Sequence, residues 1–323
     1  VAADPAGTLH IDDQLTNTSA AAITATYTVT PSTGGCTGVP QDIVITIRPE
    51  PVVDTALAGP FPVCSDDETL VNLGTNGISV NAAFYTISIN NPGGLAQSGG
   101  TISAGTGKFA DEIADDAWTN TTNAPVSIVY TVIPFSSANC EGQPFDVEIS
   151  ILPEPILDPS LSPAPVCSDL PSMITLVEQA GTVAAASFNI TGIAVQSGLI
   201  PGGSNSTIQD GVAANAIFND SYTNTTNSSL TVTYTIAPVS ATGCIGENAQ
   251  VIFTINPAPE VADLNTITCS DETSEIQLTT SSGSAVATNY EIIDIRPAAG
   301  LVPNAGNASI GFRWLCRFVF CPV

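Results

Sequence analysis

Basic residues are scarce in this chain. Five Lys+Arg stand against 30 Asp+Glu in 323 residues, a formal net charge of −25. Binding nucleic acid through a basic surface needs clustered Lys and Arg to neutralise phosphates, so that class is excluded. Docking on anionic lipid is disfavoured for the same reason. Histidine occurs once, as His10, and methionine once. Long apolar runs are missing too: none reaches the roughly 18–20 residues of a membrane helix, so no membrane insertion is expected. The chain has no initiator Met and no signal peptide, and it reads as a piece of something longer.

Those shortages do not make it a disordered tail. Only 11% of residues are charged, whereas 43% are hydrophobic, enough to build a core. The length suggests two to three domains. Thr, Ser, Asn, Val, Ile and Ala dominate, with 26 Gly and 24 Pro. β-Branched side chains suit a pleated surface, and Gly, Pro, Asn and Asp punctuate turns. The expected fold class is therefore all-β, and no segment reads convincingly as a helix.

Internal repetition organises the chain. Tyr-Thr plus an apolar residue occurs at Tyr27, Tyr130 and Tyr234, at steps of 103 and 104 residues. Pro31, Pro134 and Pro238 follow at four residues, then Cys36, Cys140 and Cys244. Cys-Ser-Asp begins at Cys64, Cys167 and Cys269. Asn-Thr-Thr-Asn spans 120–123 and 224–227, with Asn17-Thr18 in the matching place. Pro-rich joints fall at 49–51, 153–155 and 257–259. A unit of about 100 residues is the size of an immunoglobulin-like sandwich. This register divides the chain into the late half of a unit (1–51), two complete units (52–155 and 156–259) and the early half of another (260–310). Residues 311–323 match no repeat and read as a terminal segment, a scar or a reading-frame artefact.

Period-2 alternation marks the strands. Leu230, Val232, Tyr234 and Ile236 face one way and the intervening threonines the other; Ile23, Ala25, Tyr27 and Val29 repeat the pattern. Partner strands carry Ile43, Ile45 and Ile47; Val147, Ile149 and Ile151; Val251, Phe253 and Ile255. Each pair reads as a hairpin that ends at a Pro joint, because Pro has no ladder donor. Further strands are expected at 83–89 and 186–193.

Cys-Ser-Asp, then Trp118 or Tyr222 before Thr-Asn-Thr-Thr, then Tyr-Thr-x-x-Pro, Cys-x-Gly and Pro-x-Pro together resemble the PKD-like repeat. The first fragment departs from it with Leu15 at the aromatic position. The resemblance covers about residues 1–300 and implies immunoglobulin-like sandwiches strung in an elongated rod. It also implies an extracellular place on the bacterial surface, in large adhesins similar to the gliding-associated ones, as a spacer and binding scaffold and not an enzyme. Neighbouring repeats are then the first partners, with surface glycans or proteins as others.

If the Cys-Ser-Asp cysteine begins the first strand, it shares a pole with the last hairpin loop. Pairing of Cys64 with Cys140 and of Cys167 with Cys244 is expected on that basis. Closing loops of about 75 residues would stabilise by roughly 4 kcal/mol. Disulfides imply an oxidising exterior. Zinc is disfavoured, with no CxxC and one His.

Catalytic chemistry finds little footing. A lone His10 leaves no Ser-His-Asp or Cys-His arrangement and no His-based metal hydrolysis. Gly105–Lys108 looks like a phosphate loop, but Ile102 and Phe109 stand where Gly and Ser/Thr belong. Asp115-Asp116 could serve glycoside hydrolysis. The pair recurs in register as Asp12-Asp13 and Asn219-Asp220, which fits a turn better than one active site. No cofactor is expected except calcium, which takes six to eight oxygens. Its candidate ligands are the joint acids Glu50, Asp54, Glu154, Asp158, Glu260 and Asp263, with Asp66, Asp169 and Asp271 from Cys-Ser-Asp. Two rival functions remain open. A carbohydrate-binding array would use Trp118 and Tyr222 as an exposed aromatic row, although a core role suits them better. A self-polymerising fibre would complete one chain's half-module with the next chain's, joined by Cys269 to a neighbour's Cys36.

Overall fold

A computed structural model describes residues 10–101, 103–161 and 163–302; the expectation for 311–323 lies outside them. The chain is all-β, and its helical content among the described residues is one 3-10 turn, Thr55–Ala58. The first fragment contributes β1 (Ile23–Val29), β2 (Ser32–Thr33), β3 (Cys36–Thr37) and β4 (Gln41–Ile47). Module 52–155 contributes β5 (Phe61–Cys64), β6 (Phe84–Asn90), β7 (Leu95–Gly99), β8 (Gly105–Lys108), β9 (Ala117–Asn120), β10 (Val126–Phe135) and β11 (Phe145–Leu152). The next module repeats the set as β12 (Val166–Cys167), β13 (Ala185–Val195), β14 (Leu199–Pro201), β15 (Gln209–Val212), β16 (Tyr222–Asn224), β17 (Leu230–Ser240) and β18 (Ala249–Asn256). By contacts the chain divides into two compact units, Val1–Glu154 with Gly181–Val183, and Pro155–Ala180 with Ala184–Val323.

The three hairpins share one register. Tyr27 faces Ile43, Tyr130 faces Val147 and Tyr234 faces Val251. In the complete modules the hairpin lies inside a five-stranded sheet, ordered β5-β11-β10-β6-β8 in one and β12-β18-β17-β13-β15 in the other. The pairs β7–β9 and β14–β16 form a second, smaller sheet in each module. Between the layers lie two cores, one including Val53, Tyr85, Ile113, Trp118, Tyr130 and Ile149, the other Leu157, Phe188, Ile217, Tyr222, Tyr234 and Phe253. Ile128, Val147 and Ile149 are wholly buried. The counterparts of Val147 and Ile149 on the first hairpin, Ile43 and Ile45, remain 42% and 38% exposed. Alternation is enough to make the hairpin; burial needs the opposing layer, which residues 10–51 do not supply.

One expectation is corrected by the direction of the first strand. Cys64 ends β5 instead of opening a strand, because the joint and the 3-10 turn carry the chain along the module first. β5 then runs parallel to β11, so Cys64 lies opposite Leu152, at the end where Val126 faces Ile151. Cys140 lies beyond the other end of β10, its carbonyl accepting from the Ser136 N–H. Ten strand residues separate the two ends, about 30 Å, whereas a disulfide needs Cα atoms within about 7 Å. Cys140 is accordingly a free thiol, and the Cys64–Cys140 pairing is overturned. Cys167 faces Asn256 while Cys244 accepts from Ser240, at opposite ends of the eleven-residue β17. That separation rules out the Cys167–Cys244 pairing as well. Cys64, Cys167 and Cys244 are each disulfide-bonded.

Candidate functional site

The repeated motifs converge on two places in each module. The first is a polar clasp at the pole of Cys64. Asp66 adopts φ 64°, a left-handed conformation that Asp tolerates better than most residues. Its N–H donates to the Trp118 carbonyl at 3.0 Å, and its carboxylate accepts from the hydroxyls of Thr119 and Ser65. Burial alone would raise this carboxyl's pKa; hydrogen bonds from Thr119, Ser98 and Ser65 outweigh it and hold it below the ordinary value. The Ser65 hydroxyl accepts from the Asn120 N–H at 2.9 Å. Asn120 then uses its whole amide. Its Nδ2 donates to Ile151 at 2.8 Å and to Ala124 at 2.9 Å, and its Oδ1 accepts from the Thr122 N–H and hydroxyl. Apart from the Ser98 bond, these contacts recur in the next module with Asp169, Thr223, Ser168, Asn224 and Thr226. In the first fragment Asn17 repeats the part of Asn120, donating to Ile47 at 2.9 Å and Ala21 at 2.8 Å, and Ser19 takes the place of Thr122, its N–H and hydroxyl donating to Asn17 Oδ1.

The second place is a buried carboxylate that sequence reasoning took for a turn residue. Asp116 is wholly inaccessible, and its Oδ2 accepts from the hydroxyls of Tyr130 and Ser103, both at 2.7 Å. Trp118 Nε1 donates to the Tyr130 oxygen at 2.8 Å. In the following module Tyr222 donates to Tyr234 at 2.9 Å, and Tyr234 to Asp220 at 2.7 Å; Ser206 serves the other oxygen of Asp220. Burial, the Asp116 hydrogen bond and its charge push the Tyr130 phenol far above its usual range; burial, Tyr222 and Asp220 do the same to Tyr234. In the fragment the hydrogen bond that Tyr27 donates to Asp13 raises its pKa. The acid precedes its tyrosine by 14 residues each time, which is the signal in the sequence that could have found it. Trp118 and Tyr222, 6% and 2% exposed, are core anchors.

The Cys-x-Gly loop closes the opposite pole. Gly38, Gly142 and Gly246 each donate a backbone hydrogen bond of 2.8 Å to the proline of Tyr-Thr-x-x-Pro. A Cβ on Gly142 would stand 2.1 Å from the Pro51 carbonyl oxygen, and one on Gly246 1.9 Å from that of Pro155. Glycine is required there by close approach to the joint.

The acids singled out for calcium are spread between these places. Asp54 caps the 3-10 turn through Ala56, and Asp158 accepts from the N–H and hydroxyl of Ser160, which lower its pKa. Asp66 and Asp169 belong to the clasps, and Asp271 adopts the same left-handed φ, 70°. Glu50, Glu260 and Asp263 are exposed and Glu154 is half-buried. Among the described residues no three His, Cys, Asp or Glu side chains form a group able to hold a metal ion. Lys108 pairs with Glu112 at 2.6 Å, and Gly105–Lys108 is strand β8, not a phosphate loop. Among the described residues no helix is long and apolar enough to cross a membrane.

A family model described as PKD-like domain matches residues 3–51, 62–155 and 185–259. A search of the curated proteins finds no match. Solved structures that resemble the chain include the chicken CNTN1 FN1-FN3 domains, at 12% identity and a TM-score of 0.22, covering 69% of this chain and 75% of that one. Human protocadherin-24 EC1-2 follows at 10% identity and a TM-score of 0.20, covering 65% and 99%. Domains 4–9 of the surface layer protein SbsC match at 11% identity and a TM-score of 0.20, covering 88% and 48%.

Proposed function

The chain belongs to the PKD-like domain family, and from that premise we propose that it is a structural and interaction segment of an extracellular bacterial surface adhesin or filament. One observation carries the reading. The polar residues that recur at the repeat period are those that hydrogen-bond within each module, from the Asn120 and Asn224 clasps to the Asp116 and Asp220 networks. Recurring polar residues that hold each module together suit an array whose task is reach and presentation. Bonded cysteines suit an oxidising exterior. The carbohydrate-array alternative draws no support from Trp118 and Tyr222, whose rings are in the cores. The self-polymerising reading draws on the uncovered apolar side chains of β1 and β4, since an open two-stranded sheet invites further pairing.

Protease shaving of intact cells that make the protein tests the location. Peptides from 52–259 should appear in the supernatant before cytoplasmic markers do. Their release only after lysis would contradict the proposal. Sizing of the purified chain addresses polymerisation, with concentration-dependent growth expected of a fibre and a single monomeric species excluding one.

A further inference from the structure

We propose that Asn76-Gly77 is a self-modifying site, at which the main chain attacks the Asn76 side chain, converts it to aspartyl and isoaspartyl forms and loosens a brace beside the Pro49–Pro51 joint. Asn-Gly occurs at this one place in the sequence. Both residues are exposed, in the loop that follows the bridge between Val53 and Thr75. Asn76 Oδ1 accepts from the Ile78 N–H at 3.1 Å and from the Ser79 N–H at 2.9 Å. Two fixed main-chain donors on one side-chain carbonyl polarise its carbon. They also stand ready for the negative charge that attack places on the oxygen. The nucleophile is the next main-chain nitrogen, that of Gly77. Glycine has no side chain to shield it, and a Cβ built there, at φ 74°, would meet nothing within 4 Å.

The repeats supply an internal control. The Asn76 N–H donates to the Val52 carbonyl at 3.0 Å, and in the equivalent places Gln179 donates to Ile156 at 2.7 Å and Ser281 to Glu260 at 2.8 Å. Gln179-Ala180 and Ser281-Ser282 thus make the same brace without the reactive pair. The brace needs neither the asparagine nor its glycine, so their pairing adds chemistry to a shared frame. The reaction consumes one water and no oxidant. Hydroxide removes the Gly77 N–H proton, the nitrogen bonds to Asn76 Cγ, and Nδ2 takes a proton from water and leaves as ammonia. Water then opens the resulting succinimide ring. Breaking the bond from Cγ to nitrogen gives the aspartyl form; breaking the main-chain bond gives the isoaspartyl form. The isoaspartyl form adds one methylene to the main chain. It therefore shifts Ser79, whose hydroxyl accepts from the Val52 N–H at 3.0 Å.

The full chain, aged in mildly alkaline buffer and sampled by peptide mass spectrometry, tests the proposal. The peptide containing Asn76 should resolve into two products with the mass of an acid in place of the amide, at least about tenfold faster than any other asparagine converts. Conversion no faster than at the other asparagines would overturn the proposal. The folded chain should convert Asn76 at least as fast as the same chain unfolded in urea, because the Ile78 and Ser79 donors are fixed only in the fold; a slower rate in the folded chain would also overturn it. Gly77→Ala should slow conversion about tenfold, and an equal rate would contradict attack by that nitrogen. The wild-type comparisons hold whether or not this variant folds. Hydrogen exchange at the Val52 N–H should quicken in the converted fraction, and unchanged protection would contradict the loosening of the brace.

Discussion

Asp116 has one carboxylate oxygen without a hydrogen-bond partner inside its module, and that oxygen shapes the module's pH response. Burial is the largest influence and raises its pKa; hydrogen bonds from Ser103 and Tyr130 oppose it, and Asp115 and Glu112 add to the rise. A carboxyl whose folded pKa lies above its unfolded value binds its proton more tightly in the folded state. Its contribution is therefore complete below the ordinary value of 3.8 and is lost as pH rises through the raised one. Asp116→Asn keeps the site neutral at every pH. Urea midpoints measured from pH 3.5 to 7.5 should fall more steeply with rising pH for the wild type than for the variant. Parallel curves would show that Asp116 does not titrate differently in the two states.

The hairpins were the most legible elements. Alternating Thr and apolar residues located β10 and β17, and the strands expected at 83–89 and 186–193 lie within one residue of β6, Phe84–Asn90, and inside β13, Ala185–Val195. Strand direction was less legible, because nothing in Phe61–Cys64 distinguishes a strand that starts at the joint from one that ends far from it. The cysteine pairing failed at that step. The buried acids were hidden for a related reason: burial of Asp116 depends on Tyr130 and Ser103, which only the folded layers bring to it. The Cys-x-Gly loop offers a test at this scale. Gly246→Ala places a methyl on the Pro155 carbonyl and should destabilise its module by about 2 kcal/mol, a fall in Tm of roughly 10 °C. Gly74→Ala, with open space around it and no left-handed φ, is the matched control and should leave the melt unchanged. Equal melts for the two variants would remove the close-approach explanation.

For the whole molecule, a net charge of −25 works against compact packing, and mobile ions relieve it. Sodium chloride from 0.02 to 0.5 M should raise the urea midpoint. Calcium at matched ionic strength tests the joint acids as ligands: a separate rise at millimolar calcium is the result that binding predicts, and superimposed curves would contradict it. The central claim is that the motifs recur because each recurrence holds its own module together. Asn120→Ala and Asn224→Ala remove equivalent amides, each with two donated and two accepted hydrogen bonds. Urea unfolding of the full chain carrying either substitution, or both, tests the claim most directly. Each should cost about 2 kcal/mol, and the two losses should add, because the sites share no partner. Unchanged stability in both single variants would contradict the account.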